Sequence, residues 1–98
     1  MTKDIRSLIK RRRRQVLVHS YIYYVLNDNI ISDEQWSKWA EELEQLQKQY
    51  PEESADVELY EEFKKFDHST GANIDYSNCD WVHGKALQLI RYNYELNK

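Results

Sequence analysis

Proline occurs once, glycine twice and cysteine once in this chain of 98 residues. Turn-rich β architectures and unstructured linkers need proline and glycine, so their scarcity argues against both and favours long helices. A single cysteine, Cys79, leaves no partner for an internal disulfide. That usage suits a reducing compartment, and a cytoplasmic location is expected. No apolar run approaches the roughly 20 residues that span a bilayer, so no membrane partner is expected. A basic start followed by an apolar stretch imitates a secretory signal. Here Val16–Leu26 is broken by His19, Ser20 and three tyrosines, and no small-residue cleavage site follows.

What is present is an apolar, ring-rich composition. Hydrophobic residues make up 41%, including eight tyrosines and three tryptophans. A chain of this size builds one core, and a single helical domain over residues 1–98 is expected. The net charge of −3 hides an asymmetry. Residues 1–15 carry Lys3, Arg6, Lys10 and Arg11 through Arg14 against Asp4 alone, whereas residues 41–65 carry nine acids against three lysines. Opposite ends of the chain are expected to present opposite fields that steer a charged partner.

Along the chain, Thr2 caps a first helix, with Asp4 complementing its dipole. Ile5, Leu8 and Ile9 start an apolar stripe that Val16, His19, Tyr23 and Leu26 continue, and Arg11 to Arg14 are expected to interrupt it on all sides. Between Val16 and Val25 nearly every face is apolar, which predicts burial on more than one side. Asn27-Asp28-Asn29 ends the helix, since these side chains tolerate left-handed backbone. Ser32 opens a second helix with a capping box toward Gln35, followed by the acids Asp33 and Glu34. Trp36, Trp39, Ala40, Leu43, Leu46 and Tyr50 follow one buried stripe, and Pro51 stops it. So short a link forces the two helices antiparallel. A third helix is expected over Ala55–Phe66, capped by Ser54 and burying Val57, Tyr60, Phe63 and Phe66. After an irregular segment, Asp67–Cys79, with Gly71 as its left-handed position, a last helix runs from Asp80 to about Tyr94. It uses Val82, Ala86, Leu89 and Ile90 inward, and Trp81 is expected in the core. The fold class is all-α: a long antiparallel hairpin with two shorter helices packed on it.

The run Tyr21-Ile22-Tyr23-Tyr24-Val25-Leu26, then Ile31-Ser32-Asp33, then Glu42-Leu43-Glu44-Gln45-Leu46 ending Tyr50-Pro51 resembles a known module. It is similar to the small N-terminal subdomain of bacterial NAD-dependent DNA ligases over residues 14–53, with 54–98 as additional helices and loop. The resemblance implies a helical pair that clamps the nicotinamide mononucleotide (NMN) half of NAD, with rings stacking on nicotinamide and acids holding the amide and ribose. The positions that match are Tyr23, Tyr24, Asp33, Trp36 and Ser37. Trp36 stands where the family has Tyr, which keeps a stacking face. Ser37 stands where it has Asp, which removes a charge-assisted bond worth roughly 1.5–3 kcal/mol, or about 10- to 100-fold in affinity. The family's catalytic K-x-D-G motif does not occur, nor does a phosphate-binding glycine loop, so ligase chemistry is not expected of these residues. As a detached module the chain resembles pieces carried by phages and prophages, which would place it in a host cytoplasm.

Without the family, an aromatic-lined hairpin tip with one acid at a helix N-terminus suits a flat heterocycle, and the same rings at helical spacing also suit plain core. Arg11, Arg12, Arg13 and Arg14 offer phosphate contacts, or a solvated helix segment that pairs with the acids of later helices. The acid band Glu41–Glu62 imitates a nucleic-acid backbone for some basic protein, or is a solvated face. Cys79 and His83 have C-x₃-H spacing, but zinc needs four converging ligands and no metal is expected. No nucleophile has both a base and an orienter, so no catalytic residue is assigned. Three functions follow. The first is a non-enzymatic, phage-type interaction protein that binds a host or viral protein and has no resident cofactor. The second is a binder of NMN or NAD, and the third a nucleic-acid binder through the arginine run.

Overall fold

In the computed structural model, residues 2–66, 74, 76 and 79–96 are described, the side chains of 2–4 excepted. Helix α1 (Thr2–Tyr24) runs unbroken through the arginine run, because its buried row does not stop there. Ile9, Arg13, Val16, Leu17 and Ser20 recur at steps of three and four and are all essentially inaccessible. Arg13 thus lies within the core stripe rather than interrupting it. Its guanidinium donates five hydrogen bonds: to the Gln47 side chain, to the Ser54 hydroxyl and to the carbonyls of Ser54, Val57 and Glu58. Buried charge is tolerated only when its donors are met, and here they are. Burial pulls this guanidinium down to about 10, still fully charged at neutral pH.

The chain reverses at Asn27, whose φ of 58° is left-handed, as the asparagine-rich corner predicts. Ser32 then caps α2 (Asp33–Gln49), its hydroxyl accepting from the Gln35 amide at 3.1 Å. Late α1 meets early α2 and early α1 meets late α2: Ser20 with Trp36, Arg12 with Glu42, Arg13 with Gln47. That order defines an antiparallel pair. Ala40, Leu43 and Leu46 are its buried contribution from α2.

The expected third helix is corrected. Instead, Pro51 opens a short α3 (Pro51–Ala55), a turn follows with Leu59 at φ 70°, and α4 covers only Tyr60–Phe63. The physical reason is Arg13, which takes the carbonyls of residues 54, 57 and 58 that a continuous helix would spend on its own amides. Ser54 is accordingly not a cap but a buried partner of Arg13 inside α3. Val57 and Phe63 are buried as expected, while Tyr60 lies at the edge, 36% exposed, with the Arg13 guanidinium 6.0 Å from its ring.

Within Asp67–Cys79, the expected Gly71 corner lies outside the described residues. Ile74 and Cys79 are buried there, and Tyr76 packs against the core. Helix α5 (Trp81–Leu96) lies on α1, with Val82 and Ala86 buried and Leu89 and Ile90 packed against the core. Trp81 corrects its expectation: it is 38% exposed, because it is the first residue of α5 and its ring meets the Arg14 guanidinium, at 5.1 Å, rather than the apolar core. No strand occurs among the described residues, and the architecture is all-α. No helix among them is long and apolar enough to cross a membrane.

Candidate functional site

A cavity of about 250 Å³ opens at the corner, between the end of α1, the linker and the start of α2. Tyr23 and Tyr24 close α1 with rings edge to face, centroids 4.9 Å apart. Both are about half exposed, and so is Val25, so the all-round burial expected through Val25 stops at Ile22. The reason is local: the corner carries these side chains past the cover that α2 and α5 provide. From the other wall come Asp33 in the first turn of α2 and Trp36 and Ser37 one turn later. All five residues singled out by the resemblance thus face one depression.

Trp36 is fixed there by its own N–H, which donates to the Ser20 hydroxyl at 3.0 Å. That bond satisfies a nearly inaccessible serine and leaves the indole as a rigid wall between the helices. Asn29, Ile31 and Ser32 supply the linker side, with the backbone N–H of Asn29 donating to the Asp28 carboxylate at 2.7 Å. His19 completes the floor. Its ring tilts against Trp39 at 5.5 Å, and its Nδ1 is buried without a hydrogen-bond partner. Burial lowers its pKa, so the imidazole is neutral at physiological pH. Among the described residues of the lining, Asp33 is then the one formal charge, beside the positive end of the α2 dipole. A hollow with aromatic walls, one carboxylate and several hydroxyl and amide groups can hold a flat ring by stacking and orient polar substituents around it.

His19, Ser20 and the linker residues are the part of the lining that the resemblance did not single out. His19 stands four residues before Tyr23, on the same row of α1, and that spacing was the available signal.

The arginine run does not form a basic patch. Arg13 is buried, Arg12 bonds Glu42 at 2.7 Å, and Arg14 pairs with Glu58, leaving Arg11 exposed. Arg6 pairs with Asp56 as well, at 3.0 Å. The charge asymmetry along the chain is therefore folded against itself, and the opposite fields expected of its two ends are corrected. His83 meets the Tyr21 hydroxyl through Nδ1 at 2.8 Å, while Cys79 is buried. Among the described residues, no three His, Cys, Asp or Glu side chains gather as metal ligands.

Residues 2–56 match the family described as DNA ligase-like, N-terminal NAD+-binding domain. The DNA ligase of Pseudothermotoga lettingae is 36% identical over 75 residues, which is 68% of this chain and 11% of that ligase. That of Thermosipho africanus is 42% identical over 50 residues, 51% of this chain and 8% of the ligase. That of Buchnera aphidicola subsp. Baizongia pistaciae is 35% identical over 77 residues, 69% of this chain and 12% of the ligase. The chain spans 7–12% of the length of the curated relatives it matches. No solved structure matches it.

Proposed function

Since the chain belongs to the DNA ligase-like N-terminal NAD+-binding family, we propose that it binds the nicotinamide mononucleotide half of NAD+ in the cleft at the hairpin tip. The observation that carries this is convergence: Tyr23, Tyr24, Asp33, Trp36 and Ser37, drawn from two helices, line one cavity of about 250 Å³. That volume lies just under the range of about 300–1,000 Å³ typical of ligand sites, and suits one ring and its sugar better than a whole dinucleotide. The tyrosines and the indole offer faces for the ring, and the Asp33 carboxylate accepts from an amide or hydroxyl and attracts a pyridinium charge. These residues bind and orient; we assign them no bond-making step.

Nucleotide binding ranks ahead of docking to a protein partner. Beyond Trp81 at its start, the exposed apolar side chains of α5 lie in two separate rows, Leu87 with Tyr94 and Tyr92 with Leu96, rather than in one patch. The test is calorimetric titration with NMN. Saturable binding that Asp33→Asn weakens about 10-fold or more supports the reading; no heat at millimolar NMN ends it.

A further inference from the structure

The two nitrogens of the His19 imidazole have different surroundings. Nδ1 is buried and meets no partner among the described residues. Nε2 bonds no described residue either, but it is not shut in as Nδ1 is. The ring lines the floor of the tip cleft and borders a neighbouring hollow beside α5. Burial keeps the imidazole neutral, so it has one N–H and one bare nitrogen. A buried N–H without an acceptor is the costlier orphan, which assigns the proton to Nε2. Contact with the Trp39 ring, 5.5 Å away, holds the imidazole in place, and on α1 it stands one turn, about 6 Å, below Tyr23. Its neighbour Ser20 already accepts the Trp36 N–H. The Nε2–H is thus a fixed, uncharged donor that no described group uses.

We infer that His19 is the residue that reads the carboxamide of nicotinamide, its Nε2–H donating to the carbonyl oxygen. This rests on the reading of the tip given above, and it extends that reading to a residue the resemblance did not name. The ligand's own chemistry sets the orientation. The ribose and phosphate of NMN are strongly hydrated and stay toward the opening. The carboxamide, carried away from the ring nitrogen that bears the sugar, leads toward the floor. A cation on the floor would oppose the pyridinium charge, and a neutral imidazole does not. A ring without the carboxamide leaves the Nε2–H unpaired in a place with little water, so the floor selects by what it leaves unsatisfied.

Nuclear magnetic resonance of the imidazole nitrogens tests the wild-type protein directly. Nε2 should carry the proton, Nδ1 should be bare, and NMN should move the Nε2–H signal. Two variants then separate the donor from the ring. His19→Gln places an amide nitrogen near the position of Nε2 and should bind NMN within about 3-fold of the wild type. His19→Phe keeps a ring against Trp39 but has no donor, and should weaken NMN about 10-fold. An NMN analogue with hydrogen in place of the carboxamide should bind the wild type and His19→Phe alike. A proton on Nδ1, or a Phe variant that binds NMN as tightly as the wild type, overturns the role of His19 while the tip reading stands. Equal losses in the Gln and Phe variants overturn it too, since the shape of the ring rather than its N–H would then matter. If NMN gives no heat with the wild type, the tip reading itself has failed and the role falls with it.

Discussion

The indole N–H of Trp36 donates to the hydroxyl of Ser20 across 3.0 Å, and this bond joins the two helices directly beneath the cleft. Each group needs the other, for Ser20 is 1% exposed and has little access to water. The bond thus ties the geometry of the ligand wall to the stability of the hairpin.

Ser20→Ala should therefore cost about 1–2 kcal/mol, the scale of a buried hydrogen bond lost on one side. It should also move the Trp36 indole resonance and weaken NMN several-fold, as the wall loses its anchor. Urea denaturation with unchanged stability would show that the bond does not hold the tip.

Ser37→Asp adds a carboxylate to the lining opposite the tyrosines. It should strengthen NMN binding by about 10- to 100-fold, the worth of one charge-assisted bond. Titration of both proteins at one ionic strength checks it. Equal affinity would mean that position 37 does not touch the ligand.

Arg13→Met removes five hydrogen bonds and strands the carbonyls of Ser54, Val57 and Glu58. A loss of roughly 3 kcal/mol or more is expected, a large part of a small domain's stability. Arg13→Lys should recover little, since an ammonium has three donors and no planar fork. Full recovery by lysine, read from urea midpoints, would refute the planar role given to Arg13.

Acid should destabilise the fold in two stages. His19 is held below its usual value of 6.5 by burial, so the folded state binds fewer protons than the unfolded one; stability is whole above about pH 6.5 and falls as pH drops through the lower folded value. Glu58 is held below 4.5 chiefly by its hydrogen bond from Arg14, so a further loss begins under that pH and continues through its own lowered value. In His19→Gln the first stage should vanish from a series of urea midpoints between pH 7 and pH 5. A wild-type midpoint that rises on acidification through this range would contradict the sign.

Gly84 lies inside α5, and a methyl group added there meets nothing within 4 Å. Gly84→Ala should stabilise the protein by about 1 kcal/mol through helix propensity, raising Tm by roughly 4–8 °C. A fall in Tm on scanning calorimetry would mean that the glycine serves close packing after all.

Much of this was legible without coordinates, and for local reasons. The corner at Asn27, the Ser32 cap and the apolar row of Ala40, Leu43 and Leu46 depend on neighbours within four residues. The cleft was legible in part, because residues just before and just after a tight corner must end up together. Hence Tyr23, Asp33 and Trp36 converge, and the family resemblance added Tyr24 and Ser37 to the same wall. Ser20, buried sixteen positions from its partner Trp36, was not read as part of that wall.

Arg13 marks the limit most sharply. Four consecutive arginines look alike in composition, and only its place four residues after Ile9 and three before Val16 hinted at an inward direction. Whether a guanidinium can be buried depends on acceptors that the chain supplies more than thirty residues later. The same contacts break the expected third helix, a case of tertiary bonding overriding helical spacing.

The chain's own order of residues thus determined the all-α class, the antiparallel hairpin and the ring-lined tip, since periodicity, capping and a short link act over a few residues. Tertiary structure alone decided that Arg13 is core, that Trp81 is partly exposed, and that the basic start neutralises the acidic middle. These outcomes turn on which distant carbonyls, carboxylates and helix faces pack together, and no local pattern carries that information.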